Sequence, residues 1–302
     1  MNHKTYHLIA LAALLFAGAA STACSTSSDN EIIDQTPAQP TNGKYTLTVN
    51  ATKAIDASTR ALTLNGNTLN ATWTAGDKVT VLKHVSNSIN DPGSWRVWGQ
   101  LEVGNVRNGG MTCSLTGEFD AGTLNEGDCL RLVYPGKDLT SGSDYWMDYT
   151  DQDGKLDTIA KKYDYCSTPA VLEKAVKVTA VNGTNITTSD ATFTSNQAIV
   201  RFTLVDKDNN PIYPLSFYIS TEDKQIVTKE MITGELSMET RDNLLRIHPI
   251  SQTNVVYVAV RGFSNLKIQL DAMKSQLSYS YTKSDVTFEN GKYYDITVKM
   301  KQ

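Results

Sequence analysis

From Lys44 onward, short runs in which apolar and polar residues alternate recur along the chain. This pattern constrains the fold more than any other feature, because a period of two places one set of side chains on each face of a pleated strand. Tyr45, Leu47, Val49 and Ala51 share one face, with Thr46, Thr48, Asn50 and Thr52 on the other. Similar runs cover Lys78 to Leu82, Trp95 to Val103, Met111 to Phe119, Cys129 to Tyr134 and Lys174 to Val181. A second group covers Ala198 to Val205, Leu215 to Ser220, Leu244 to Ile247, Val255 to Arg261, Leu266 to Leu270, Gln276 to Tyr281 and Tyr293 to Met300. Turn signals such as Asn65-Gly66-Asn67, Asp91-Pro92-Gly93 and Glu126-Gly127-Asp128 punctuate the runs. About one residue in eight is Thr, which favours strands and turns over helices. One stretch differs: Leu156, Ile159, Ala160 and Tyr163 fall at helical spacing, predicting a short surface helix over Gly154 to Asp164.

The expected class is therefore all-β sandwich with one short helix in its first part. A chain of 302 residues suggests about two domains at roughly 150 residues each. The second group of strands begins near Ala191, so the expected division is residues 44–190 and 191–302.

The first 24 residues read as an export address. A polar stretch with one Lys precedes an apolar run from Leu8 to Ala20, followed by Ser21-Thr22-Ala23 and Cys24. The run of 13 residues is short of the ~20 that span a bilayer and suits a signal-peptide core. Small residues before Cys24 are similar to a lipoprotein signal, in which Cys24 becomes the lipidated first residue. Ser21 stands where that pattern usually has Leu, and an ordinary cut near Ala23 is the other reading. Ser25 to Gly43 is polar and Pro-containing, a flexible tether that lacks the apolar content to fold. Asp29-Asn30-Glu31 within it is similar to export tags of surface lipoproteins, and equally to any acidic linker.

Composition excludes several functions. The net charge of −4 argues against nucleic acid as a partner, which calls for a basic stripe. Of four histidines, only His84 and His248 lie beyond the export segment, so a His-rich metal centre is excluded. His84 is expected in solvent and His248 in a structural role. Cys113, Cys129 and Cys166 have no CxxC spacing and are expected to be small buried residues. With Gly154 at position six of a calcium loop, position one is Tyr149 and position twelve is Ala160, so the bidentate Glu is absent. No GxSxG motif is present, so neither enzyme chemistry nor a cofactor is expected. Trp95 and Trp98 face opposite ways on a strand. Tyr145, Trp146 and Tyr149 are candidates either for core packing or for an exposed glycan-stacking patch.

Several segments, in order, resemble the fimbrillin family, the subunits of lipoprotein-derived (type V) pili. They are Arg60-Ala61-Leu62-Thr63-Leu64 through Trp73 and Gly76-Asp77-Lys78-Val79, then Gly127-Asp128 through Leu132-Val133-Tyr134-Pro135. Asp148 to Gly154 through Tyr163-Asp164-Tyr165 follows. Ala191-Thr192-Phe193 leading to Gln197-Ala198-Ile199-Val200-Arg201-Phe202 is similar to the family's domain junction, and Gly291-Lys292-Tyr293-Tyr294 precedes the last strand. The resemblance covers residues 44–302 and implies two tandem transthyretin-like β-sandwich domains. It also implies export as a lipoprotein to the outer membrane of a Gram-negative cell, and cleavage in a loop after the first strand. The vacated groove then accepts a strand from another pilin subunit. On this resemblance the cut falls at Arg60–Ala61, and the strand removed carries Tyr45, Leu47, Val49 and Ala51. Tyr294, Ile296, Val298 and Met300 present four apolar side chains at the same period and form the candidate exchange strand. The chain ends at Gln302, directly after that strand, so a subunit that accepts a donor without supplying one is expected, as at a tip or in an accessory role. The competing reading is a surface lipoprotein that never polymerises and binds a glycan or host protein.

Overall fold

The computed structural model describes residues 43–53, 63–65, 68–70, 72–86, 94–141, 143–233, 238–250 and 252–302. The first strands are β1 (Lys44–Lys53), β2 (Thr63–Asn65), β3 (Thr68–Asn70), β4 (Lys78–Val85), β5 (Ser94–Arg107) and β6 (Thr112–Asp120). They are followed by β7 (Cys129–Tyr134), β8 (Trp146–Asp148), β9 (Cys166–Ser167), β10 (Val176–Asn182), β11 (Asn185–Thr188) and β12 (Ala191–Ser195). The remainder are β13 (Ala198–Val205), β14 (Ser216–Thr221), β15 (Ile226–Met231), β16 (Met238–Asp242), β17 (Leu244–Ile247), β18 (Val255–Val260), β19 (Phe263–Lys274), β20 (Leu277–Phe288) and β21 (Tyr293–Lys299).

The protein is mostly β. A nine-stranded sheet has the order β10-β11-β1-β12-β9-β7-β4-β5-β6, with further pairings of β10 to β7 and β1 to β6. Those last pairings matter most. β1 joins β6 along one edge and β11 and β12 along the other, so the path β1–β12–β9–β7–β4–β5–β6 returns to its start. The inward face of this closed sheet carries Leu47, Val81, Leu101, Leu115, Leu132, Val178 and Phe193, all buried together.

The outward faces of β4, β5 and β7 are not left in water. Leu82, Trp95, Val97 and Val133 alternate with the inward residues and form another cluster with Tyr145, Tyr149, Ile159, Tyr163, Ile199 and Ala259. Strands buried on both faces account for the near-continuous apolar run in Val79, Val81 and Leu82, where a bulge sits between Val81 and Leu82. The expected helix forms as a single α turn, Leu156–Thr158, that widens into a π turn over Ile159–Tyr163. It lies at the surface with one face turned inward: Ile159 and Tyr163 are buried in the cluster, while Asp157, Lys161 and Lys162 are exposed.

From Ala198 onward, β13 lies between β18 and β21, and β17-β14-β19-β20 forms a facing sheet. Phe202, Val258 and Val298 pack against Phe217, Leu245 and Leu270 between them. β12, although it follows Ala191, pairs with β1 and β9 of the first sheet. β8 pairs with β15, and Lys229 of β15 forms an ion pair with Asp148 at 2.9 Å.

Gln152 fastens the loop before the helical turn to β18. Its Nε2 donates to the carbonyls of Tyr149 and Ala259, both at 2.7 Å, and its Oε1 accepts from the Ala259 N–H at 2.8 Å. Gln152→Leu leaves the Ala259 N–H and carbonyl unpaired in a dry site, and should lower stability by about 2–4 kcal/mol. Urea unfolding of the variant beside the parent measures this directly.

Candidate functional site

The candidate site is the slot that β1 occupies. Its burial alternates strictly, and Tyr45, Leu47, Val49 and Ala51 are each at most 1% exposed. The register with β6 is antiparallel and unbroken from Lys44↔Asp120 to Thr52↔Thr112. On the other edge the pairing is parallel, first to β11 (Thr46↔Asn185 to Thr48↔Thr187) and then to β12 (Ala51↔Ala191 to Lys53↔Phe193). The hand-over leaves Val49 and Asn50 without a strand partner there, and Asn50 Nδ2 donates instead to Asp190 Oδ1 at 3.3 Å. Without β1 the remaining pairings form an open sheet, with β6 on one side of the vacancy and β11 and β12 on the other. Each of these would present unpaired main-chain groups, the condition for strand addition.

The apolar face narrows along the strand. Tyr45 is large, Leu47 and Val49 intermediate, and Ala51 small, opposite Cys113 of β6 and Ala191 of β12. Burying Leu47 and Val49 alone stabilises by about 3–6 kcal/mol, so an empty slot is costly. The face does not end at Ala51. Lys53 also points inward and is fully buried. Its Nζ lies 4.1 Å from the ring centre of Trp73 and 4.5 Å from that of Tyr134, and donates to the Thr72 carbonyl at 3.4 Å. Trp73 stands edge-on to Tyr134 and to Phe193. The Tyr134 hydroxyl donates to Asp77 Oδ2 at 3.1 Å. Burial, then the Asp77 charge, holds that phenol well above its ordinary range, so it stays neutral. Among the described residues the Lys53 ammonium has no carboxylate in an ion pair with it.

Sequence reasoning missed Lys53. A lysine at a strand's last position reads as solvated, and only its place on the inward face signalled otherwise. Cys24, Arg60 and Ala61 lie outside the described residues. Tyr294, Ile296, Val298 and Met300 face the core between the second pair of sheets. Their strand, β21, runs parallel to β13 and is the edge of its sheet.

One pair of alternatives is decided and two expectations are corrected. Tyr145 and Tyr149 are fully buried, with their hydroxyls donating to the carbonyls of Pro135 at 2.6 Å and Asn196 at 3.2 Å. They are not an exposed glycan patch, because β8 is covered by the helical turn and β15. Cys129 is only half-buried, whereas Cys113 and Cys166 are buried, and all three are free thiols. His84 packs edge-on to Trp95, with ring centres 5.2 Å apart, rather than standing in solvent. Trp95 and Trp98 do face opposite ways, into different clusters.

Solved structures similar to this chain include a candidate cell adhesion protein from Bacteroides uniformis, with 16% identity, TM-score 0.47, and coverage of 86% of this chain and 94% of that one. A fimbrial assembly protein from Parabacteroides distasonis has 9% identity and TM-score 0.42, covering 85% and 90%. The tip fimbrial protein Mfa3 from Porphyromonas gingivalis has 8% identity and TM-score 0.39, covering 85% and 95%. No family model and no curated protein matches the chain.

The slot generates two expectations. Leu47→Ala should cost about 2–5 kcal/mol in a urea melt, because the surrounding sheet cannot collapse into the space. Cys113 lies opposite Ala51, and burial, only partly offset by the Lys53 charge, pushes its thiol up to about 12. Since the thiolate is the nucleophile, the intact chain at pH 8 should resist alkylation at Cys113 while Cys129 reacts. Release of β1 should make Cys113 reactive, as read by mass mapping.

Proposed function

We propose that this chain is a fimbrial subunit of the cell surface that assembles with other pilin subunits by strand exchange into the β1 slot. The observation that carries the reading is that β1 is paired along both edges within the closed first sheet and is the strand that precedes the segment containing Arg60, so a cut there frees it. A strand held by non-covalent contacts on both edges can be cut free without disturbing the order of the remaining strands. The names of the similar structures, fimbrial and cell-adhesion proteins of Bacteroides and its relatives, support a cell-surface location and an adhesive or structural role rather than an enzymatic one.

In this reading Cys24 is lipidated and holds the precursor at the outer membrane through the tether. Cleavage at Arg60–Ala61 then releases the tether together with β1. Two tandem transthyretin-like domains form the body, the second beginning after β12 (Ala191–Ser195), which pairs into the first sheet. The proposed exchange strand, with Tyr294, Ile296, Val298 and Met300, is committed to its own core. Withdrawing it would expose Val298 and Met300, so this chain is read as an acceptor of a strand, as at a tip or in an accessory position. The alternative, a non-polymerising surface lipoprotein that binds a glycan or host protein, keeps its lipid signal and tether but loses Tyr145 and Tyr149 as a stacking surface.

N-terminal sequencing of the protein taken from cells tests this. A start at Ala61, with multimers that withstand mild detergent, is the expected outcome. A lipidated start at Cys24 on a monomer would contradict it.

A further inference from the structure

The slot has a chemical preference at one end, and this inference rests on the strand-exchange reading. We propose that the Trp73–Tyr134 corner is a cation-accepting subsite, so that the strand filling the vacated groove carries Lys or Arg where Lys53 now sits. Trp73 precedes β4 and Tyr134 ends β7, so neither leaves with β1. Phe193, on β12, also remains and backs Trp73. The corner is thus part of the acceptor, and Lys53 is its present occupant.

The physical argument is one of compensation. A fully buried ammonium is costly unless something replaces its water. Here two ring faces at 4.1 and 4.5 Å and the Thr72 carbonyl do so, and desolvated cation–π contacts are the stronger kind. The Asp77 carboxylate behind the Tyr134 hydroxyl adds negative charge to the same corner. A carboxylate placed there would meet ring faces, a carbonyl and Asp77, all unfavourable to it. A neutral side chain would leave the carbonyl unpaired and the negative ring faces without a cation.

Together with the narrowing apolar face, this defines the partner. It is an extended segment with an aromatic residue, Leu or Ile, Val, a small residue and a basic residue at successive alternate positions. The C-terminal strand of this chain does not fit. Laid in the direction of β1 with Tyr294 in the place of Tyr45, it puts Met300 where Ala51 sits and Gln302 at the cation corner. Met in the Ala51 position overfills a site bounded by Cys113 and Ala191. That strand, in that register, is therefore excluded as the donor.

The test uses the full chain nicked after Arg60 by an arginine-specific protease, with labelled peptides of residues 44–53 offered in excess. Incorporation is followed by fluorescence anisotropy. The parent peptide and Lys53→Arg should bind with similar affinity, Lys53→Met about tenfold more weakly and Lys53→Glu at least about a hundredfold more weakly. In a Trp73→Leu chain the preference for Lys over Met should shrink to about twofold or less, which assigns it to the ring face. If Lys53→Met or Lys53→Glu binds as tightly as the parent, the cation subsite is overturned while strand exchange stands. If the parent peptide does not enter the nicked chain, strand exchange itself fails, and the subsite with it.

Discussion

The structure of the first half depends on the pairing of one strand along both its edges. β1 meets β6 over Lys44 to Thr52 and β11 and β12 on the other side. Without β1 the remaining strands form an open chain of pairings, and with it they close into a wall around the apolar interior. Closed sheets remove their edges, and open ones expose them. A strand whose loss turns the first state into the second makes a natural point of control, because removing it creates the affinity that a partner satisfies.

The rest of the molecule is arranged so that such a change stays local. The outward faces of β4, β5 and β7 are anchored by the tyrosine-rich cluster built from β8, the helical turn, β13 and β18. Gln152 adds hydrogen bonds in the same region. β1 contributes nothing to that cluster or to the core between β13–β18–β21 and β14–β17–β19–β20. On loss of β1, the strands β4, β5 and β7 would keep this support, while β6, β11 and β12 at the rims of the groove would lose a pairing partner. The polar outer face of β1, with Thr46, Thr48, Asn50 and Thr52, carries little of the burial, so the side chains that fix its identity are those on the inner face.

Much of this was legible in the chain itself. The alternation in Lys44 to Lys53 marks that strand with its observed bounds because one face meets an apolar core; the run Cys129 to Tyr134 is marked by its apolar content, as β7 packs on both faces. The long strands β19 and β20 were read as shorter, since their outer halves are solvated and carry little apolar pattern. β15 and β16 were missed: β16 is exposed throughout and β15 is buried at nearly every position, so neither shows a period of two. The helical turn was legible from its spacing, which marks the face that carries Ile159 and Tyr163; core packing of Tyr145 and Tyr149 was one of two alternatives, and the outward packing of β4 and β5 selects it. Lys53 was the one site residue that alternation pointed to and chemistry argued against; its aromatic partners come from residues 20 and 81 positions further along the chain, a proximity that only the fold supplies.

Hydrogen exchange measured by mass spectrometry on the chain before and after cleavage past Arg60 and washing out of the released strand tests the central claim most directly. The account predicts that amides of β6, β11 and β12 lose protection while those of β4, β5 and β7, and of β13 to β21, keep theirs. Unchanged protection at β6 and β12 after β1 has left, or a uniform loss across Lys78 to Lys299, would contradict it.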